Sequence, residues 1–291
     1  MLGCVAISSY LTSLTVGIAV LCGAAISAFA QSPIPRRVMT LNMCADQLVL
    51  DLLPPERITS VTYISHIASD ENLAHLAGRV GINYGMAEEV FAQSPDLVIG
   101  GDFSAPATQA ILKRAGYPLY EMASAEKFEA IREQTLFVGR LLGAETRAQE
   151  LVAEMEVDLA DLARTRPARP ISVVAWDGSG IAPGKGTLFN EILNVAGGIN
   201  LAAEQSDAYM VALDMEELLV TNPDILAYGA DLAMPSLRHE PLKHPAIQQR
   251  YGDRQIAYPE EQYVCGGPQS SRVARDLRAA MLAVLAEARP R

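Results

Sequence analysis

From Arg36 onward the chain alternates short apolar runs with longer segments in which apolar positions recur every three or four residues. Val38 to Leu41, Ile58 to Val61, Asp96 to Ile99 and Pro118 to Tyr120 read as strands. After Arg164 the pattern restarts with Ile171 to Trp176, Asp224 to Tyr228 and Gln255 to Tyr258, and a last helix opens near Ser270. Runs this short and continuously apolar fit strands buried on both faces, and their alternation with helices predicts mainly parallel sheets under helical layers. Between the two series, Ala144 to Arg164 places Ala148, Leu151, Val152, Met155, Leu159 and Leu162 at helical spacing, with Glu, Asp and Arg opposite. A single helix of about 20 residues spans roughly 30 Å, the width of a small domain. Pro167 and Pro170 end it.

This pattern predicts an N-terminal α/β lobe over residues 36–143, a connecting helix over 144–166 and a C-terminal α/β lobe over 167–291. A partial internal repeat supports the division: Glu88 to Ile99 matches Glu216 to Ala227, each a helix, a Pro-Asp turn and a strand. In each copy the proline stops the helix by removing a backbone donor and biasing its predecessor toward extended geometry. The expected fold is α/β, with two Rossmann-like lobes of mainly parallel sheet joined by a long helix and a ligand cleft between them. A helical linker resists bending more than paired extended strands do, so lobe closure is expected to be small.

The 291 residues are 50% hydrophobic and 20% charged, which excludes a disordered chain. With 34 acidic against 23 basic residues the net charge of −11 opposes polyanions, so no nucleic-acid partner is expected. No charged side chain precedes Arg36, and Leu11 to Ala30 is a nearly unbroken apolar and small-residue stretch ending in Ala28-Phe29-Ala30. Residues 1–30 read as a signal peptide cut after Ala30, with a membrane-anchoring helix as the alternative because the stretch is long enough to span a bilayer. Leu21 stands where a small residue should precede a lipid-bearing cysteine, so Cys22 is not read as an anchor. Cleavage would remove Cys4 and Cys22 and leave Cys44 and Cys265. An exported protein with two cysteines can pair them.

Pro95 to Ile99 and their counterpart in the second half precede or follow a further signature, Pro183 to Thr187 with Leu188 to Leu193 and then Gly197 to Asn200. In this order, and with an export signal, these motifs resemble the periplasmic substrate-binding proteins of ABC importers for cobalamin and iron chelates, the class with a helical backbone. The similarity covers essentially the whole chain after the signal segment. It implies a periplasmic, monomeric receptor for a siderophore or cobalamin-like chelate, delivering it to the permease and its ATPase, with no catalytic residue, resident cofactor or protein-held metal. It also implies that Glu88 and Glu216, each seven residues before the proline of its repeat, dock against arginines of the permease. Ala196 stands where the best-known cobalamin binders of that family carry a cysteine.

Ligand contacts are expected on loops at the carboxyl ends of strands. Tyr63, Tyr84, Trp176, Tyr209 and Tyr263 are candidates to present flat faces to a conjugated ligand, and Lys185 and Arg272 to offset anionic groups. Asn42 and Cys44 fall in the loop after the first strand, and Cys265 precedes the last helix. Three roles stay open for the two cysteines: a disulfide clasp, thiol contact with the ligand, or burial without function.

Other chemistries fit less well. Pro183 to Thr187 departs from a phosphate loop at both ends, since Ser179 occupies the first glycine position and Gly186 separates Lys185 from Thr187. The histidines, His66, His75, His239 and His244, form no close ligand pair. A haem or free metal-ion (zinc or manganese) receptor of the same fold is the alternative, with His66 as a candidate ligand. A hydrolase using Cys44 or Cys265 with His66 as base is a third reading.

Overall fold

The computed structural model describes residues 33–68, 70–102, 104–176, 178–229, 237–258 and 260–288. The segment read as an export signal, with Cys4 and Cys22, lies outside them, and among the described residues no helix is long and apolar enough to cross a membrane.

The first half runs β1 (Val38–Thr40), α1 (Met43–Leu52), β2 (Ile58–Thr62), α2 (Tyr63–His66), α3 (Glu71–Ala77), β3 (Gly81–Asn83), α4 (Ala87–Gln93), β4 (Leu97–Gly101), α5 (Pro106–Arg114), β5 (Leu119–Met122) and α6 (Phe128–Leu141). Its five strands form one parallel sheet in the order β3-β2-β1-β4-β5. Successive side chains of a strand point to opposite faces. Val38, Leu97 and Ile99 therefore enter one core with Ala45, Leu48 and Val49 of α1, while Met39, Leu41 and Val98 enter another with Val90 of α4 and Leu112 of α5. Both faces are covered, which is why these strands read as unbroken apolar runs.

After α7 (Glu145–Arg164), the second half runs β6 (Ile171–Ala175), β7 (Ile181–Pro183), α8 (Leu188–Ala196), β8 (Gly198–Asn200), α9 (Leu201–Gln205), β9 (Met210–Ala212), α10 (Met215–Thr221), β10 (Ile225–Gly229), α11 (Pro245–Tyr251), β11 (Gln255–Tyr258) and α12 (Ser270–Glu287). The parallel order is β11-β10-β6-β8, and β7 pairs with β9 in an antiparallel ribbon. Ile171, Val173 and Ala175 face a core shared with α8 and α12, whereas Val174 and Trp176 face the opposite one.

The amphipathic stripe of α7 is divided between the lobes. Ala148 and Leu151 pack into the first-lobe core, Met155 and Leu162 into the second. Its neighbour α6 crosses in the other direction, with Val138 in the first core and Phe128 and Ile131 against the second. At about 1.5–3 kcal/mol for each fully buried large apolar side chain, separating the halves along this seam is costly.

The internal repeat is also a structural one. Both α4 and α10 end on a left-handed, non-glycine residue, Ser94 (φ 47°) and Asn222 (φ 52°), and Pro-Asp follows. The aspartate then fixes the start of its lobe's first strand. Asp96 accepts from the backbone N–H groups of Arg36 and Arg37 at 2.8 and 3.0 Å, and Asp224 accepts from the Ser172 N–H at 3.0 Å and its hydroxyl at 2.8 Å. Four three-residue strands, β3, β7, β8 and β9, were not read from the sequence; β3 and β8 are each Gly-Ile-Asn, with one apolar residue to signal them.

Candidate ligand cleft

The loops at the carboxyl ends of the two sheets meet one another. Cys44, just beyond β1, forms a disulfide with Cys265, just before α12, with Cα atoms 4.9 Å apart. Ala125, beyond β5, packs so closely on Gly266 that a Cβ there would lie 1.9 Å from the Ala125 carbonyl oxygen, so only glycine fits. Gln269 donates to Gln47 at 2.8 Å across the same seam. Of the three roles open for the cysteines, the structure has the disulfide, which leaves neither sulfur as the free thiol that a hydrolase would need.

On the first lobe the register of the sheet builds an aromatic wall. Thr62 of β2 pairs with Asn83 of β3, so the next residues, Tyr63 and Tyr84, emerge side by side. Their rings stack at 5.2 Å with 22° between planes and stay 40% and 63% exposed. Ile64, Ile67, Ile82 and Met86, on the same two segments of chain, are exposed as well. The carboxylate of Glu89 accepts from the backbone N–H of Tyr84 and of Met86, both at 2.9 Å, fixing Tyr84 to the first turn of α4.

Beneath this wall lies a buried polar belt. The Asp46 carboxylate accepts from the hydroxyls of Thr40, Thr62 and Ser65 and from the Thr62 N–H. Burial pushes its pKa up, against those hydrogen bonds, which act to lower it. Asn83 donates to the Thr40 carbonyl at 3.0 Å and to Ser60 at 3.1 Å. Asn42 caps α1, its side-chain oxygen accepting from the N–H groups of Cys44 and Ala45 at 2.8 and 3.1 Å. Asp46 closes the segment Asn42 to Asp46 that the sequence offers as a cleft loop, but it stands inside α1 on the apolar stripe with Val49 and Leu50, where its carboxylate is buried.

The second lobe contributes Tyr209, 54% exposed, on the turn into β9. Its hydroxyl donates to Glu126, beyond β5, at 3.1 Å, and burial of the oxygen beside that carboxylate pushes the phenol up to about 12. Burial raises the pKa of Glu126 too. Lys185 is ion-paired with Asp207 at 2.6 Å, each raising or lowering the other in favour of the charged forms.

Two candidates take a different place from the one expected. Trp176 is only 2% exposed and donates its indole N–H to the Leu213 carbonyl at 2.9 Å, because it continues the inward alternation of β6. Tyr263 is buried against Phe189 and Tyr258, and burial raises its pKa. Neither offers an open ring face; both are core aromatics. Phe103 and Asp177, within expected cleft loops, lie outside the described residues. His66 is half-buried, and its Nε2 is buried without a hydrogen-bond partner. Among the described residues no group of three or more His, Cys, Asp or Glu is arranged to hold a metal ion. A cavity of about 420 Å³ opens on the flank of the seam, lined by residues of both halves that include Gln47, Asp51, Asp70, Gln269, Arg272 and Asp276.

Glu88 and Glu216 occupy equivalent sites, the second residue of α4 and of α10, and both are exposed. Their neighbours Glu89 and Glu217 are engaged in capping the same helices, with Glu217 accepting from the Asp214 N–H at 3.0 Å. The outer carboxylates of the pair thus face solvent beside a positive helix end.

Comparison with known proteins agrees with this architecture. A model of the periplasmic binding protein family matches residues 39–234. A cobalamin-binding protein of Halobacterium salinarum is 27% identical over 200 residues, covering 67% of this chain and 54% of its own length. An uncharacterised ABC transporter substrate-binding lipoprotein of Bacillus subtilis is 26% identical over 204 residues, covering 66% and 63%. The chain thus spans just over half of the first relative and under two thirds of the second. Among solved structures, the apo periplasmic heme-binding protein RhuT of Roseiflexus superposes with a TM-score of 0.67 at 26% identity, over 86% of this chain and 98% of that one. The vitamin B12 binding protein BtuF of Vibrio cholerae shares the fold, with a TM-score of 0.67 at 15% identity, over 87% and 98%. With parallel sheets in two lobes, strand-end loops meeting at a common seam and a family match over most of its length, the chain belongs to the periplasmic binding protein family.

Proposed function

We propose that this chain is an exported solute receptor of an ABC importer and that it binds a flat, conjugated metal chelate of the tetrapyrrole type, haem or a corrinoid, between its lobes. The observation that carries this reading is the exposed Tyr63–Tyr84 stack, with Ile64, Ile67, Ile82 and Met86 exposed on the same two segments of chain. Left in water, such a patch is unfavourable; covered by a planar ring, it gains both area burial and face-to-face contact. A highly anionic siderophore fits less well, because Lys185 is already paired with Asp207, and Arg272 lies among Asp51, Asp70 and Asp276. A free metal ion would need several convergent donors instead. The names of the Halobacterium and Roseiflexus relatives point to the same ligand class.

In this reading residues 1–30 are the cleaved export signal and the periplasm is the working compartment. Glu88 and Glu216 present one carboxylate per lobe to paired arginines on the permease, and the receptor acts as a monomer that releases its cargo without chemistry. Titration calorimetry with haem, cobalamin and a ferric hydroxamate tests the ligand. At least one tetrapyrrole should bind with sub-micromolar affinity, and Tyr63→Ala with Tyr84→Ala should weaken it about 10- to 100-fold, the loss of two aromatic contacts. Unchanged affinity in the double variant, or tight binding of the hydroxamate alone, would overturn the assignment.

A further inference from the structure

We propose that Glu126 is a positioning residue for the bound ligand: it reaches across the seam and holds Tyr209 of the second lobe in the orientation in which its ring meets the chelate. The proposal rests on the reading that the cleft is the ligand site. It adds a residue outside the ligand-facing set, on the opposite lobe from the side chain it controls.

Glu126 lies in the connection between β5 and α6. One carboxylate oxygen accepts from the backbone N–H of Leu188, the first residue of α8, at 2.7 Å, and the other accepts from the Tyr209 hydroxyl at 3.1 Å. Both partners belong to the second half of the chain. The exchange is reciprocal, since Glu191, in the first turn of α8, accepts from the backbone N–H of Phe128, the first residue of α6, at 3.4 Å. Each half therefore supplies a carboxylate to unsatisfied donors at the other's helix start, where the helix dipole favours negative charge. Glu126 is anchored by a backbone bond that does not depend on Tyr209, so it is a fixed post for the phenol.

Tyr209 needs such a post. Its backbone is held by a hydrogen bond from the Gly184 N–H at 2.8 Å, but more than half of its surface is open to solvent. A tyrosine tethered only by its backbone would sample several rotamers, and ordering it on binding would cost affinity. The bond to Glu126 restricts those rotamers before the ligand arrives. Burial of the phenol, joined by the charge of Glu126 and the bond to it, pushes its pKa up to about 12.

The experiment is a double-mutant cycle with haem and cobalamin as probes, on the full-length protein processed as it is exported. Glu126→Ala should weaken binding about 5- to 20-fold and Tyr209→Ala by a similar factor, while the double variant should be little worse than either alone. Glu126→Gln, which keeps an acceptor for one of the two donors, should restore part of the loss. Ultraviolet titration reads the state of the Tyr209 hydroxyl directly. The Tyr209 component, obtained by difference against Tyr209→Phe, should titrate at lower pH in Glu126→Ala than in the parent protein, and no shift would mean that the carboxylate does not hold the phenol. Equal losses from Glu126→Ala in parent and Tyr209→Ala backgrounds would mean that the carboxylate acts only on the lobe junction, overturning the proposal. If Tyr209→Ala leaves affinity unchanged while Tyr63→Ala weakens it, the proposal fails and the ligand assignment stands. If neither probe binds, the assignment itself fails, and the role of Glu126 with it.

Discussion

Asp46 has no exposed surface, and its carboxylate collects hydrogen bonds from Thr40, Thr62 and Ser65. Removing it strands several buried donors at once, each at a cost of about 1–3 kcal/mol less whatever the site recovers by relaxation. Asp46→Ala should therefore lower stability to urea unfolding by about 3 kcal/mol or more, a loss typical of a broken buried network. The pH dependence follows from the direction of the shift. Burial raises the folded-state pKa above 3.8, so the folded protein holds this proton more tightly than the unfolded chain does. The contribution of Asp46 is then fully present below the unfolded value and is lost as pH rises through the folded one. Asp46→Asn does not titrate, so its stability deficit should be largest in acid and shrink toward neutral pH. A deficit that grows with pH would mean a depressed carboxylate instead. At this scale the sequence was only partly legible. Tyr63 was readable as a residue following a strand, and it is exposed, whereas Tyr84, a candidate as well, follows β3, a strand that the sequence did not show. Trp176 was read by the same rule, but one more residue of strand alternation turns it into the core.

The helices α4 and α10 are two copies of one device: a carboxylate-capped start, a left-handed last residue and a Pro-Asp step into a buried strand. The left-handed residue disfavours every side chain except glycine, and asparagine least among the rest. Ser94→Gly should thus stabilise the protein by about 0.5–1 kcal/mol in thermal or urea unfolding, offset in part by loss of the Ser94 hydroxyl bond to the Phe91 carbonyl. Asn222→Gly should gain nothing, because the Asn222 side chain accepts from Arg250 and tolerates the conformation. Equal gains at both positions would show that backbone strain, and not the side-chain partner, decides the outcome. This device was visible in the sequence because its parts are separated by fixed spacings. The ribbon of β7 and β9 was not, since its pairing joins residues such as Ile181 and Ala212 that no local pattern connects. The reciprocal capping of α6 and α8 is hidden for the same reason: Glu126 and Glu191 look like ordinary surface acids until the fold brings each to the other's helix.

For the molecule as a whole, the seam between the halves is built to resist opening. It combines a disulfide between Cys44 and Cys265, shared cores under α6 and α7, the close contact of Gly266 with Ala125 and the Gln47–Gln269 bond. The sequence predicted the connecting helix from its apolar stripe, but not that the stripe would be divided between two cores, because the division depends on which lobe each turn meets. On the proposed reading, a receptor held this way should accept its ligand with a rotation of only a few degrees between lobes. The most direct measurement is therefore a pair of crystal structures, without ligand and with haem or a corrinoid bound. The expected result is one chelate lying on the Tyr63–Tyr84 stack with Tyr209 on its other side and the lobes nearly unmoved. A chelate seated instead in the flank cavity beside Asp51 and Arg272, or a hinge rotation of tens of degrees on binding, would contradict it.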